Sequence, residues 1–160
     1  MLQSVHVKNL ALIEEIEVDF KEGLNILTGE TGAGKSIILG SVGLALGGRY
    51  TKDIIRRGAD YGFVELTFFV EDERTEERLK ALDIFPEEGL VVLSRRLMEK
   101  RSISRINGET VTMALLKCIF RNSFLSDRRD HNEVRMFSYL LVMIDLFHNT
   151  ESVHLRHDQI

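Results

Sequence analysis

One glycine-rich segment has residue types and spacing suited to phosphate binding. Gly29-Glu30-Thr31-Gly32-Ala33-Gly34-Lys35-Ser36 matches G-x-x-x-x-G-K-[ST] at every fixed position. Glycines allow successive backbone N–H groups to turn inward around an anion, where a side chain would block the phosphates. Lys35 is expected on the β- and γ-phosphates and the Ser36 hydroxyl on Mg²⁺. The predicted cofactor-binding residues are Gly29, Glu30, Thr31, Gly32, Ala33, Gly34, Lys35 and Ser36, and the predicted metal ligand is Ser36.

Hydrolysis of a bound nucleotide would need further groups, and the sequence does not supply them clearly. An acid at the end of a strand and a group that positions water are both required. The run 140–144 followed by Asp145 superficially fits a Walker B strand, but no second acid follows Asp145. An amphipathic helix explains this run at least as well, so we assign no catalytic residue.

Basic side chains form a second candidate site. Arg56-Arg57 and Arg95-Arg96, with Lys100, Arg101 and Arg105, are candidates for contacting a DNA phosphate backbone at one sheet edge. Charges on a hairpin are usually only solvated, and acidic residues occur elsewhere. The net charge of −4 and pI of about 5.8 give no support to a nucleic-acid surface.

Histidine and cysteine give weaker signals. Four histidines lie within residues 118–160, but no cysteine or carboxylate completes a convincing set of metal ligands with them, so we predict no metal site there. They are His131, His148, His154 and His157. Cys118 is the single cysteine, which excludes an intrachain disulfide and fits a reducing, cytosolic setting. We predict that it is a small buried hydrophobe.

The segments around the loop indicate how it is positioned. Alternating residues predict strands at 2–7 and 13–20, and the largely apolar run 24–28 predicts a buried strand directly before the loop. A largely buried helix is predicted from Lys35 until Gly47-Gly48 ends it.

The second half of the folded region is predicted to be mostly antiparallel. Residues 61–70 are rich in aromatic and β-branched types and predict a strand, followed by a charged helix over 75–82. Residues 90–96 and 101–106 predict a hairpin, with Asn107-Gly108 as a further turn. The expected fold class is therefore α/β, a P-loop NTPase with antiparallel strands around one strand–loop–helix unit.

Composition changes at Cys118. All 12 glycines lie in residues 1–117, and residues 118–160 contain no glycine, alanine or lysine. The first residues lack the apolar core of a signal peptide, and no apolar run reaches the ~20 residues that span a bilayer. We therefore expect a folded unit over 1–117, a divergent tail over 118–160, and no membrane partner.

Several segments together resemble a known family. Residues 2–36, the stretch Ile55–Ala59 with Val64-Glu65, and the hairpin from Arg95 to Val111 resemble the N-terminal ATPase lobe of SMC-like proteins, most closely the RecN family of bacterial DNA repair proteins. The resemblance covers about residues 1–117. It implies an ABC-type head whose N-terminal lobe carries the P-loop, while a C-terminal lobe beyond a coiled coil supplies the signature motif and Walker B.

The resemblance also implies partners and a biological role. It implies Mg-ATP as ligand, a head–head dimer with itself or a full-length homologue, DNA as a partner, and cytoplasmic repair of double-strand breaks by recombination. Because the resemblance stops where the composition changes, we expect a truncated or frame-shifted product that hydrolyses ATP poorly alone, with a tail that is frame-shifted or unfolded. Two alternatives stay open, a self-contained P-loop kinase or NTPase and a non-catalytic regulator of full-length heads; a GTPase would need an N-K-x-D motif, which is absent.

Overall fold

A computed structural model describes residues 1–23, 25 and 32–119. The elements are β1 (Leu2–Leu10), β2 (Ile13–Asp19), α1 (Gly32–Ala45), a 3-10 turn (Lys52–Ile54), β3 (Gly62–Phe69), α2 (Glu73–Lys80), β4 (Leu90–Leu97), β5 (Ser102–Ile106), β6 (Glu109–Val111) and α3 (Met113–Ile119). Of the strand predicted at 24–28, only Asn25 is described. Of the predicted tail, only the start lies within α3.

The six described strands form one antiparallel sheet in the order β2-β1-β3-β4-β5-β6. Strand β3 pairs with β1 and not with β2, which precedes it in the chain. The connection between β2 and β3 contains α1, so this helix can lie across the sheet. The strands predicted at 2–7, 13–20 and 61–70 and the hairpin over 90–106 are confirmed, whereas the strand predicted at 24–28 stays a prediction. Strand β6 is an additional short strand after the turn at Asn107-Gly108.

Alternation along the strands separates a core face from an outer face. In β3 every second residue is buried, including Val64, Leu66 and Phe68, and in β4 Val91 and Leu93 continue the same face. In β1 the alternation is interrupted by a register shift between Leu2 and Ser4. One face therefore carries most of the described apolar core.

Helix α1 covers this core face. It contacts β1, β3 and β4, and it buries Ile38, Val42 and Ala45 against them. Leu79 of α2 and Leu116 of α3 are fully buried in the same cluster. The predicted burial of α1 is confirmed for the face toward the sheet, whereas Ser36, Gly40 and Gly43 are exposed. No helix in the described part of the chain is long and apolar enough to cross a membrane.

The end of α1 is closed by two glycines, as the sequence predicted. Gly47 has a φ of 97° and donates its amide to the carbonyl of Leu44 (3.1 Å), while the Gly48 amide donates to Gly43 (2.8 Å). This pair of bonds is a Schellman motif, which needs a residue with positive φ and favours glycine there. The geometry fixes where the helix stops and where its last carbonyl groups point.

Candidate functional site

The described part of the predicted phosphate loop, five of its eight residues, lies at the start of α1. Gly32, Ala33, Gly34, Lys35 and Ser36 follow one another there, whereas Gly29, Glu30 and Thr31 lie outside the described residues. Lys35 is only 7% exposed, and Ser36 is exposed. The first turn has no acidic residue, so no carboxylate of this turn opposes the positive partial charge of the helix N-terminus.

Space beside this turn is open at Gly34. Among the described residues, a Cβ built on Gly34 would meet no heavy atom within 4 Å outside the backbone of its own helix, and its φ is not positive. The helix therefore does not itself require glycine at this position. A close approach by a ligand gives a physical reason for the residue, and N–H groups at a helix N-terminus are a ready anion site. The described turn fits a phosphate group.

Arg95 binds the opposite end of the same helix, and sequence reasoning missed this role. Its Nη1 donates to the carbonyl oxygens of Leu44 (2.5 Å) and Gly48 (2.9 Å), and its Nη2 donates to Ser102 Oγ (3.0 Å). Arg95 is 5% exposed and lies on the core face of β4. The signal in the sequence was its position, because alternation places it on the same face as Val91 and Leu93.

This position corrects the prediction that Arg95 and Arg96 together contact DNA. Strand β4 is an interior strand, and consecutive residues of a strand point to opposite faces. Arg95 is therefore buried under α1, while Arg96 is exposed and its Cζ lies 3.6 Å from the ring centroid of Tyr61. Only Arg96 of the pair is available to solvent.

The guanidinium of Arg95 is buried, and its hydrogen bonds are made by Nη1 and Nη2. Burial lowers the pKa of Arg95, and nearby Tyr50 opposes that shift. The Tyr50 ring centroid lies 5.6 Å from Arg95 Cζ, within cation–π range. Among the described residues Arg95 Nε has no hydrogen-bond partner. The carbonyl groups at the end of α1 supply the negative partial charge facing this cation.

The other basic candidates are dispersed over the surface. Arg56 is half-buried, donates to the carbonyl of Leu12 (2.9 Å) and lies 3.6 Å from a carboxylate oxygen of Glu14. The exposed candidates besides Arg96 are Arg57, Lys100, Arg101 and Arg105. Lys100 and Arg101 belong to the turn between β4 and β5, while Arg105 lies within β5. A phosphate-backbone contact by these exposed residues stays a prediction.

The remaining candidates fall beyond the described chain. Asp145 and the histidines His131, His148, His154 and His157 lie outside the described residues, and so does the side chain of Cys118. Within the described residues, no group of three or more His, Cys, Asp or Glu side chains is placed to hold a metal ion.

The fold and the helix turn together define the class: an α/β lobe of a P-loop NTPase. A protein-family model described as AAA domain matches residues 4–138. The chain belongs to this AAA domain family and contains an N-terminal segment of the RecN/SMC-like type.

Among curated relatives, the chain is 41% identical over 119 residues to DNA repair protein RecN of Halalkalibacterium halodurans, covering 73% of this chain and 21% of that protein. It is 38% identical over 128 residues to DNA repair protein RecN of Bacillus subtilis, covering 76% and 21%. The chain thus spans about a fifth of the length of these relatives.

Solved structures give the same fold. An SMC ATPase from a study of ATP-driven dimerization and DNA-stimulated activation matches with a TM-score of 0.66 and 21% identity, covering 90% of this chain and 98% of that one. The Smc head domain of Pyrococcus furiosus, with its coiled coil and bound to the C-terminal domain of ScpA, matches with a TM-score of 0.66 and 22% identity, covering 78% and 33%. At these identities the likeness establishes the fold of an SMC-type head.

Proposed function

We propose that this chain binds Mg-ATP through residues 29–36 and serves as the nucleotide-binding lobe of a RecN-like DNA repair ATPase. The observation that carries the proposal is the first turn of α1, with a buried Lys35, an exposed Ser36 and open space at Gly34. The relatives named above are DNA repair proteins, which supports the wider role.

The residues of the phosphate loop have different roles in binding. Backbone N–H groups from Gly29 to Ser36 cradle the phosphates, and Lys35 neutralises charge on the β- and γ-phosphates. Ser36 ligates Mg²⁺, and the metal in turn neutralises the charge of the phosphate oxygens when bound. The adenine preference rests on the relatives, because a P-loop contacts phosphates and not the base.

Hydrolysis and assembly complete the proposal. Residues 1–117 form the lobe, residues 118–160 form a divergent tail, and the acid and signature motif come from another lobe. A structural neighbour is described by its ATP-driven dimerization, which supports a head–head arrangement here. DNA is the proposed partner of the assembled heads, and the cytoplasm is the proposed location, consistent with a single cysteine. The similarities do not favour a self-contained P-loop kinase.

Equilibrium binding of a fluorescent ATP analogue with Mg²⁺ to the full 160-residue chain tests the proposal. Lys35→Ala should bind at least about tenfold more weakly, because a charge-assisted contact to phosphate is lost. Lys100→Ala, which removes an exposed lysine of the β4–β5 turn, is the matched control and should bind like wild type. Competition by unlabelled ATP and GTP measures base preference.

Phosphate release recorded on the same samples separates the alternatives. We expect binding that depends on Lys35 without turnover by the isolated chain. Turnover that depends on Lys35 would favour the self-contained enzyme. Absence of binding by the folded wild-type chain would refute the proposed function.

A further inference from the structure

A buried cation joins the proposed nucleotide-binding helix to the β4–β5 hairpin. Arg95 lies on β4 and its guanidinium reaches two carbonyl groups at the C-terminal end of α1, those of Leu44 and Gly48. The same guanidinium donates to Ser102 Oγ at the start of β5. The Arg95 side chain therefore links the last turn of α1 to both strands of the hairpin, its own strand β4 and the neighbouring β5.

These contacts depend on the charge and the hydrogen-bond donors of arginine, and a side chain of similar volume without them would not replace it. Carbonyl groups at a helix C-terminus carry negative partial charge and accept hydrogen bonds from cations. A planar guanidinium presents donors in several fixed directions, so it can reach two carbonyls and a hydroxyl together, which an ammonium on a flexible stem does less well. No described carboxylate forms an ion pair with Arg95, so its charge is matched mainly by the end of α1.

Tyr50 forms a second contact between the segment that follows α1 and the β4–β5 hairpin. Its hydroxyl lies 2.6 Å from the carbonyl oxygen of Met98 and 2.8 Å from that of Arg101, across the turn of the hairpin. A phenol has one proton to donate, so these two carbonyls share it. The Tyr50 ring also lies beside the Arg95 guanidinium, so the contacts of Tyr50 and of Arg95 belong to one cluster.

The helix can carry a constraint from this cluster to the phosphate end. Lys35 and Leu44 are nine residues apart, which is about 14 Å along a helix axis. An α-helix held by its hydrogen-bond ladder is stiff over this length, so fixing one end restricts the other. On the basis of the proposed function, we propose that Arg95 is a positioning residue for nucleotide binding, which holds the first turn of α1 in place by anchoring its last turn to the β4–β5 hairpin.

Two measurements on the full 160-residue chain test this inference. The variants are Arg95→Met, which keeps an unbranched apolar stem and loses the donors, and Arg95→Lys, which keeps the charge. Leu79→Ala is the control for general destabilisation, because Leu79 is fully buried on α2. Arg96→Met is the matched control on the exposed face of the same strand.

The first measurement is amide hydrogen exchange of residues 32–48, read without nucleotide. The exchange rates of each variant are first corrected for its loss of global unfolding free energy. After this correction, α1 should exchange about tenfold faster in Arg95→Met than in Leu79→Ala. The second is the Kd for the fluorescent ATP analogue with Mg²⁺. Arg95→Met should bind about tenfold more weakly and Arg95→Lys should recover part of that loss.

The outcomes distinguish this inference from the proposed function. Unchanged exchange in α1, or a Kd for Arg95→Met equal to those of Leu79→Ala and Arg96→Met, would overturn the positioning role while nucleotide binding stands. If wild type binds no nucleotide, the proposed function fails and the nucleotide part of this inference fails with it. Exchange in α1 then still decides whether Arg95 anchors the helix.

Discussion

Gly34 and Lys35 are consecutive residues in the first turn of α1, yet they face different surroundings. No described heavy atom outside the backbone of α1 lies within 4 Å of the Cβ position of Gly34, whereas Lys35 is 7% exposed. A small residue and a largely buried cation thus stand side by side at the positive end of a helix. This arrangement leaves room for an anion beside a positive charge, and it gives the first prediction.

Gly34→Ala should stabilise the chain without nucleotide but weaken binding of Mg-ATP. Alanine in a helix is favoured over glycine by about 0.5–1 kcal/mol, and the described residues leave room for the methyl group. The same methyl group would occupy space proposed for phosphate oxygens. Urea unfolding and the Kd of the fluorescent ATP analogue measure the two effects.

Gly40→Ala is the matched control, because Gly40 lies on the same helix with equally open space at its Cβ position. It should raise stability similarly and leave the Kd unchanged. Equal affinity of Gly34→Ala and wild type would argue against phosphate binding at this turn.

Asp72→Ala should destabilise the chain by about 1 kcal/mol, since Asp72 is the N-cap of α2. Its carboxylate accepts a hydrogen bond from the Thr75 amide at 2.7 Å. Asp72→Asn, which retains a capping oxygen, should lose less. Urea unfolding at neutral pH compares the three proteins, and an equal loss in both variants would contradict the capping role.

The same cap should be sensitive to acid. Desolvation by burial raises the pKa of Asp72, but hydrogen bonds from the Thr75 side chain and amide outweigh it, so the pKa is lowered overall. A lowered folded pKa means that the stabilisation is present above the unfolded value of about 3.9 and is lost as pH falls through the folded value. The stability difference between wild type and Asp72→Asn should therefore shift with pH only below about pH 4.

Tyr61→Leu should lower stability by about 0.5–1 kcal/mol, because Arg96 Cζ lies 3.6 Å from the Tyr61 ring centroid. Tyr61→Phe keeps an aromatic face and should stay close to wild type. Urea midpoints of the three proteins provide the measurement. A loss in Tyr61→Phe as large as in Tyr61→Leu would assign the effect to the hydroxyl instead of the ring.

Glu15 should titrate below an ordinary glutamate. A hydrogen bond from Lys8 Nζ (2.8 Å) lowers the pKa of Glu15 most, and a second contact with His6 Nε2 (2.9 Å) adds to it. In Lys8→Met the pKa of Glu15 should move back up, as measured by carboxyl-carbon NMR. Because a lowered folded pKa stabilises only above the unfolded value, this contribution fades as pH falls through the folded pKa.

Salt provides the control for the Glu15 titration. The pair is partly exposed, so added salt should reduce the shift in wild type. A pKa for Glu15 that is the same in wild type and Lys8→Met would contradict the contact.

Local features of this protein could be predicted from sequence because their causes are local. The spacing from Gly29 to Ser36 is itself the phosphate-binding pattern, and alternation along 61–70 and 90–96 is enough to predict strands. Gly47-Gly48 marked the end of α1 because a Schellman motif needs positive φ there. The three-residue strand β6 was missed, since so short a segment carries no periodicity.

Features that depend on pairing could not be predicted in the same way. Arg95 and Arg96 are identical neighbours, and both were candidates for the same phosphate-backbone contact when only the sequence was considered. Alternation places Arg95 on the same face as Val91 and Leu93, but only the packing of α1 against that face decides which groups its guanidinium contacts.

The sequence by itself determined the phosphate-binding pattern, the helix that follows it and the antiparallel strands, because these depend on residues close together in the chain. Only the tertiary structure decided that β3 pairs with β1 and that Arg95 closes the far end of the P-loop helix. Arg95 and Leu44 are 51 residues apart, so their contact depends on how the whole sheet and helix pack.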